Sequence, residues 1–315
     1  MKQTVVTLRN AEGHALHCIW EAPANLRRDL ACVLLSPGVK MRVAPHRLYR
    51  KVARVFAERG IGVLRVDFHG LGDSEGDLPE AQLDQLYRKV QQGRHVCDAR
   101  AAIDWLEQDQ GISRVVVGGL CGGAITGLLA AESDPRIAGL YAIGIPVTLD
   151  GPAEQASAHM TRGELATMRR EYLRKVFNPK AWKRLLLLQS DYQLIFRATT
   201  ASLRRWLRRR GPVRMQDDTP LPAAPPASNF NMGFARAFFR VLGRGAPALL
   251  IFSGSDRLYF EFKEKFAEPW AAALAPLATQ FSVEIVPKAN HVLGDPSWVA
   301  ETKHYTAGWL DRCFS

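Results

Sequence analysis

A single cysteine, Cys121, stands inside Gly119-Leu120-Cys121-Gly122-Gly123, where the β-rich run "SRVVVGG" gives way to a second apolar run ending at Ala131. A thiol on a sharp turn between a strand and a helix is lifted clear of the sheet. There it can attack a carbonyl carbon, and the N–H groups that follow it can receive the developing oxyanion. Small residues suit such a turn, because side chains at 119 and 123 would collide with neighbouring backbone. The competing reading of Cys121 is a small buried thiol, which leaves the flanking glycines without a purpose.

Two other readings of this region are weaker. Gly72-Asp73-Ser74-Glu75-Gly76 is a literal G-x-S-x-G, but it lies several residues past its strand and leads into the polar stretch "DLPEAQLDQLY", which cannot be the buried helix behind a nucleophile. The stretch from Asp67 to Gly76 is therefore expected to be a wall of the site. Val115 to Ala131 is also an uncharged run of 17 residues bounded by Arg114 and Glu132. It is short for a membrane span and holds five glycines, so a strand, a turn and a helix account for it better.

The elements needed to hold Cys121 in place follow from periodicity. "QTVVTLRN" and "HALHCIWEAP" predict a hairpin about Ala11-Glu12-Gly13. Strands are expected at "ACVLLSPG", "GIGVLRVDF", "SRVVVGG" and "RIAGLYAIGIP", and again at "APALLIFSG" and "FSVEIV". Helices are expected near Arg47 to Arg59, from Tyr87 to Gln108, after Cys121, from Phe260 to Leu274, and from Pro296 through Leu310. Short apolar strands alternating with helices indicate an α/β domain with a mostly parallel, doubly wound sheet covered on both faces. The rhythm breaks at about residue 148 and resumes at about 233, which divides the chain into a core of 1–147 and 233–315 and an inserted basic helical cap of 148–232 with a Pro-rich linker.

The order of these motifs resembles the α/β-hydrolase superfamily: "SPG", then "DFHGLGDSEG", then "GLCGG", and near the end "SGSD" and "NH". Within it the chain looks most like the serine-aminopeptidase-like and exosortase-associated hydrolases, with Cys in place of the nucleophilic Ser. The resemblance covers both halves of the core and not the cap. It implies Asp256 as the acid after its strand and His291 as the base after the last strand, so that Cys121, Asp256 and His291 fall in the chain order of that fold. It also implies an oxyanion hole from the N–H groups of Gly122 and Val39. Read from the residues alone, the competing readings are a helix cap for Asp256 and a loop histidine for His291. Arg42, His46 and Arg47, just past the presumed oxyanion loop, are candidates for substrate contact.

The chemistry implied is acyl chemistry through a thioester, on esters, thioesters or lactones, with hydrolysis and acyl transfer (cyclisation included) both open. A non-catalytic member of the fold that binds an acyl ligand or a protein is the reading from another class. No organic cofactor is expected and no metal: the five cysteines are scattered, without a C-x-x-C pair or a His/Cys cluster at ligand spacing. The net charge of +11 is concentrated between Thr161 and Met215, where 15 Lys/Arg face three acids. Apolar residues such as Leu165, Met168, Tyr172 and Val176 recur there at helical spacing. A lid with an apolar underside and a basic rim would take a small-molecule or carrier-bound anionic acyl substrate, and peripheral membrane contact fits the same surface. Nucleic acid is not an expected partner, since no binding motif accompanies the charge. The N-terminus lacks the pattern of a secretory signal, so a cytoplasmic protein is expected.

Overall fold

The computed structural model describes residues 1–80, 82–150, 161, 219, 220, 222, 223 and 226–315. Eight strands are numbered in chain order: β1 (Lys2–Arg9), β2 (Ala15–Ala22), β3 (Ala31–Leu35), β4 (Gly62–Val66), β5 (Val115–Leu120), β6 (Ile137–Ile143), β7 (Ala248–Ser253) and β8 (Phe281–Val286). They form one sheet in the order β1-β2-β4-β3-β5-β6-β7-β8. β1 and β2 make the expected hairpin and join β4 antiparallel, and every other pairing is parallel.

Because side chains alternate along a strand, each central strand feeds two cores. Cys32, Leu34, Val116, Tyr141, Ile143, Leu249 and Ile251 face one side, under α1 (Leu48–Ala57). Val33, Leu35, Val117, Leu140, Ala142 and Leu250 face the other, under α2 (Leu83–Gln91), α3 (Val96–Gln110), α4 (Gly122–Ala131) and α5 (Met232–Gly243). The chain closes with α6 (Arg257–Phe262), α7 (Ala271–Leu274) and α8 (Pro296–Cys313), the last of which packs beside α1. The uncharged run is thus explained by position: α4 is buried against the sheet and under α2, α3 and α5, with Leu129 its one partly exposed residue. Among the described residues no helix is long and apolar enough to cross a membrane.

Two expected helices are divided. The one read from Tyr87 to Gln108 is α2 and α3, broken at Gly93, whose φ of 101° no helix accommodates. The one read from Phe260 to Leu274 is α6, a wider turn over Lys263–Ala267, and α7. Pro269 lies in the gap, where it can neither donate a hydrogen bond nor fit beneath the preceding turn.

The expected cap, with its basic helices and their apolar stripe, lies almost entirely outside the described residues. Its two ends are in view. Thr148 bridges Phe230, Leu149 N–H donates to the Asn229 carbonyl and Asn231 N–H to that of Val147, so the chain leaves and re-enters the core at one place. Beneath this junction the Thr148 hydroxyl donates to buried Glu261, which also takes the Lys265 ammonium at 3.0 Å.

Leu128 is wholly buried at the centre of α4. Leu128→Ala should cost about 2–5 kcal/mol in a urea titration, the range for deleting a core side chain whose cavity cannot collapse.

Candidate active site

β5 and α4 meet at Cys121, which carries φ 52° and ψ −109°, a backbone conformation that costs a residue with a side chain about 1–3 kcal/mol. Its surroundings leave the turn no other path. Cys121 N–H donates to the Ile143 carbonyl at 2.8 Å, continuing the ladder between β5 and β6. Leu120 N–H donates to the Tyr49 hydroxyl at 2.7 Å, and that hydroxyl donates to the Leu35 carbonyl at 2.7 Å. A methyl group at Gly119 would lie 2.3 Å from the Tyr49 oxygen, and one at Gly123 2.3 Å from the Leu35 oxygen. The two glycines that flank the cysteine are thus required by close approach, as the spacing implies.

The loop after β3 is drawn in equally tightly. A Cβ on Gly122 would sit 2.5 Å from the Gly38 Cα, so this loop lies against the first turn of α4. As the first residue of α4, Gly122 has no intrahelical acceptor for its N–H. Among the described residues, no loop or side-chain hydrogen bond engages the N–H of Gly122 or of Val39.

Asp256 and His291 come from the loops after β7 and β8. Gly254 N–H donates to the Val286 carbonyl and Ser255 N–H to that of Ala289, which laces the two loops together. Asp256 is also the N-cap of α6, its Oδ1 accepting from Leu258 N–H, while Oδ2 accepts from His291 Nδ1 at 2.6 Å. One carboxylate therefore both caps α6 and holds the His291 ring. The His291 pKa is raised to about 10, first by that hydrogen bond and then by the Cys121 side chain, against the lowering effect of burial. The ring is charged at neutral pH and loses its proton as pH climbs through about 10. Gly144, at the end of β6, leaves room for it: a Cβ there would be 3.7 Å from the ring. The structure thus brings Cys121, His291 and Asp256 together.

The other sequence candidates fare differently. Arg42 is not available to substrate: its guanidinium is paired with buried Asp67 and, at 2.8 Å, with Asp73, and 12% of its side chain is exposed. Asp67 also accepts from Arg42 N–H, Ser36 Oγ and Asp73 N–H, so the attraction that occupies Arg42 fastens the loop after β3 to the loop after β4. His46 is exposed and lies against Gly294 in the His291 loop, and Arg47 is exposed at the start of α1. Ser74 donates to the Asp67 carbonyl and accepts from His17 N–H, both at 2.9 Å, which makes it a structural strut. Sequence reasoning missed Tyr49, whose only signal was an aromatic residue in an otherwise ordinary amphipathic helix. It also missed Tyr87 of α2, half-buried against Gly38, its pKa raised by burial and by Cys121.

Gly123→Ala should destabilise the fold by about 1–3 kcal/mol or more, since the obstructing atom is a backbone oxygen that cannot swing away. The same change should depress alkylation of Cys121 by iodoacetamide, read by intact mass. Asp256→Asn removes the main support of the charged ring, and the His291 titration midpoint followed by NMR should fall from about 10 by at least one unit.

Residues 32–302 match the alpha/beta hydrolase family. The polyketide transferase grgF of a Penicillium species is 29% identical over 138 residues, which are 43% of this chain and 43% of that protein. Human protein ABHD12B is 29% identical over 116 residues, 37% of this chain and 28% of that protein. The chain therefore spans well under two thirds of the curated relatives it matches. Among solved structures, an esterase of Pyrococcus furiosus aligns at TM-score 0.55 and 15% identity, covering 100% of this chain and 92% of that one. An alpha-beta serine hydrolase homologue from Coxiella burnetii aligns at 0.55 and 14%, covering 98% of each chain. These likenesses are of fold, and the match over 32–302 takes in both halves of the core. The chain belongs to the alpha/beta hydrolase family.

Proposed function

We propose that the protein is an acyl-transfer enzyme of this family in which Cys121 is the nucleophile, His291 its acid–base partner and Asp256 the group that orients and charges the ring. The observation that carries the reading is the thiol held in a strained turn against an imidazole whose far nitrogen is 2.6 Å from a carboxylate. A charged ring next to sulfur is the electropositive surrounding in which a cysteine serves as a nucleophile.

In the reaction proposed, the Cys121 sulfur attacks the carbonyl carbon of an ester or thioester. The oxyanion forms toward the N–H groups of Gly122 and Val39. His291 then protonates the leaving alcohol or thiol as the tetrahedral intermediate collapses to a thioester on Cys121. In the second half, His291 takes a proton from water or from another acceptor as that molecule's oxygen or nitrogen attacks the thioester carbonyl carbon. The carbon–sulfur bond then breaks, the acyl product leaves, and the proton on His291 and the Cys121 sulfur return to their starting state. Both hydrolysis and transfer run through this intermediate, and the name of the Penicillium relative, a polyketide transferase, supports keeping transfer beside hydrolysis. The basic insertion, which holds most of the chain's excess of positive over negative charge, is proposed to receive the anionic or carrier-borne part of the acyl substrate.

Incubation with p-nitrophenyl acyl esters and acyl thioesters, followed by intact-mass measurement, should show one acyl group on Cys121. Cys121→Ala should abolish it and His291→Ala should slow it about 100-fold or more, the usual scale of acid–base assistance. A folded protein that stays unmodified across the panel would overturn the assignment and favour a binding role. The products formed with and without an added alcohol or amine separate transfer from hydrolysis.

A further inference from the structure

The geometry points to a divalent-metal site outside the Cys121 centre, formed by Glu12 and His14 of the β1–β2 turn and His69 of the loop after β4, with Zn²⁺ the ion its donors fit best. One ligand atom from each residue falls within 4.8 Å of the others. Two imidazole nitrogens and one carboxylate oxygen are a donor set that suits Zn²⁺, with water completing a tetrahedron.

A buried carboxylate preorganises both halves. Asp98, wholly buried on α3, accepts from His69 Nδ1 at 2.9 Å and from His69 N–H at 2.9 Å, which leaves the ring's Nε2 as its free donor atom. Asp98 also accepts from Asn10 Nδ2 at 2.7 Å, and Asn10 Oδ1 takes the N–H groups of Glu12 and His14, both at 3.0 Å. The same acid therefore fixes the histidine and the turn that faces it, an outer-shell carboxylate of the kind that orients metal-bound imidazoles.

His14 Nδ1 is buried and, among the described residues, has no hydrogen-bond partner. It stands 3.6 Å from Glu12 Oε2, too far for a hydrogen bond and near the spacing of two ligands on one ion. The His14 and His69 rings are stacked, 5.1 Å between centres and 16° between planes, so the His14 ring, on its exposed turn, must rotate for both in-plane lone pairs to meet one ion. An open cleft of about 500 Å³ lined by Glu12, His69, Lys89, Gln92, Gly93 and Arg94 gives an ion access and room for water. The two cations on its rim, Lys89 and Arg94, are both turned to one carboxylate, Glu80, which leaves a single net positive charge there for Glu12 to offset.

A second grouping of His69 with Cys97 and Asp98 is the poorer candidate. Asp98 is already occupied by four side-chain donors, from Asn10, His69, His95 and Cys97 itself. Burial and the adjacent Asp98 push the Cys97 thiol up to about 12, which keeps it protonated. The ion would join the hairpin turn to the loop of residues 67–76. No such cluster is visible in the sequence, because its parts are 55 residues apart and only the pairing of β2 with β4 brings them together.

The test is calorimetric titration of the chelator-treated full chain with Zn²⁺, in a Cys121→Ser background so that the thiol of the acyl site does not compete. One equivalent should bind and raise Tm by several degrees at saturation. His14→Ala and Glu12→Gln, both at an exposed turn, should each weaken binding tenfold or more, and Asp98→Asn should do so through the outer shell. Absence of saturable binding, or an isotherm unchanged in both His14→Ala and Glu12→Gln, would overturn the site.

Discussion

The carbonyl oxygen of Leu35, at the end of β3, is crowded from three directions, and the candidate active site is built on that crowding. The Tyr49 hydroxyl donates to it, while the backbone of Gly119 and of Gly123 passes so close that a Cβ would fall 2.7 Å and 2.3 Å from it. With strand end and helix start pinned to one atom, the residue between them must turn within a single position. Cys121 takes the positive φ that results, and the strain persists because hydrogen bonds on both sides over-determine the path. The exposure of the thiol and the approach of the loop after β3 to the start of α4 are consequences of the same packing.

Buried carboxylates organise the loops around this turn. Asp67 gathers the Arg42 guanidinium and N–H, Ser36 Oγ and Asp73 N–H, and so joins the loops that follow β3 and β4. Asp98 does the same for the hairpin turn and His69. Burial alone would raise the Asp98 pKa, but hydrogen bonds from His69, His95 and Asn10 hold it well below the usual carboxylate range, so its charge is kept at neutral pH. Loops of this kind carry function only when something rigid holds them, and in this fold the something is a charge with its donors counted out.

What could be read from the sequence was whatever depends on nearest neighbours along the chain. Strand-length apolar runs, the glycines about Cys121, and the positions of Asp256 and His291 just past their strands are all local patterns. The division of α2 from α3 at Gly93 was legible in principle, since a glycine amid polar residues marks a boundary. Arg42 was misread for a different reason. An arginine near a site suggests an anion, but Asp67 and Asp73, which occupy it, lie 25 and 31 residues away and are brought there by the pairing of β3 with β4. Tyr49 escaped notice because its importance lies in the two backbone groups it joins, and no pattern of side chains records that.

The proton inventory of the site bears on why sulfur stands at position 121. A histidine that serves a hydroxyl nucleophile must be neutral at the working pH, since it has to accept the hydroxyl proton. His291 is held charged to about pH 10, first by Asp256 and then by Cys121 itself. Such a ring is a poor base for an alcohol and a good partner for a thiolate. With an alcohol at the same turn one of the two supports of that charge would be lost, and the ring would move back toward the neutral form that alcohol chemistry needs. The turn and its glycines are indifferent to the nucleophile; the charge on the histidine rests first on Asp256 and second on the atom the turn presents.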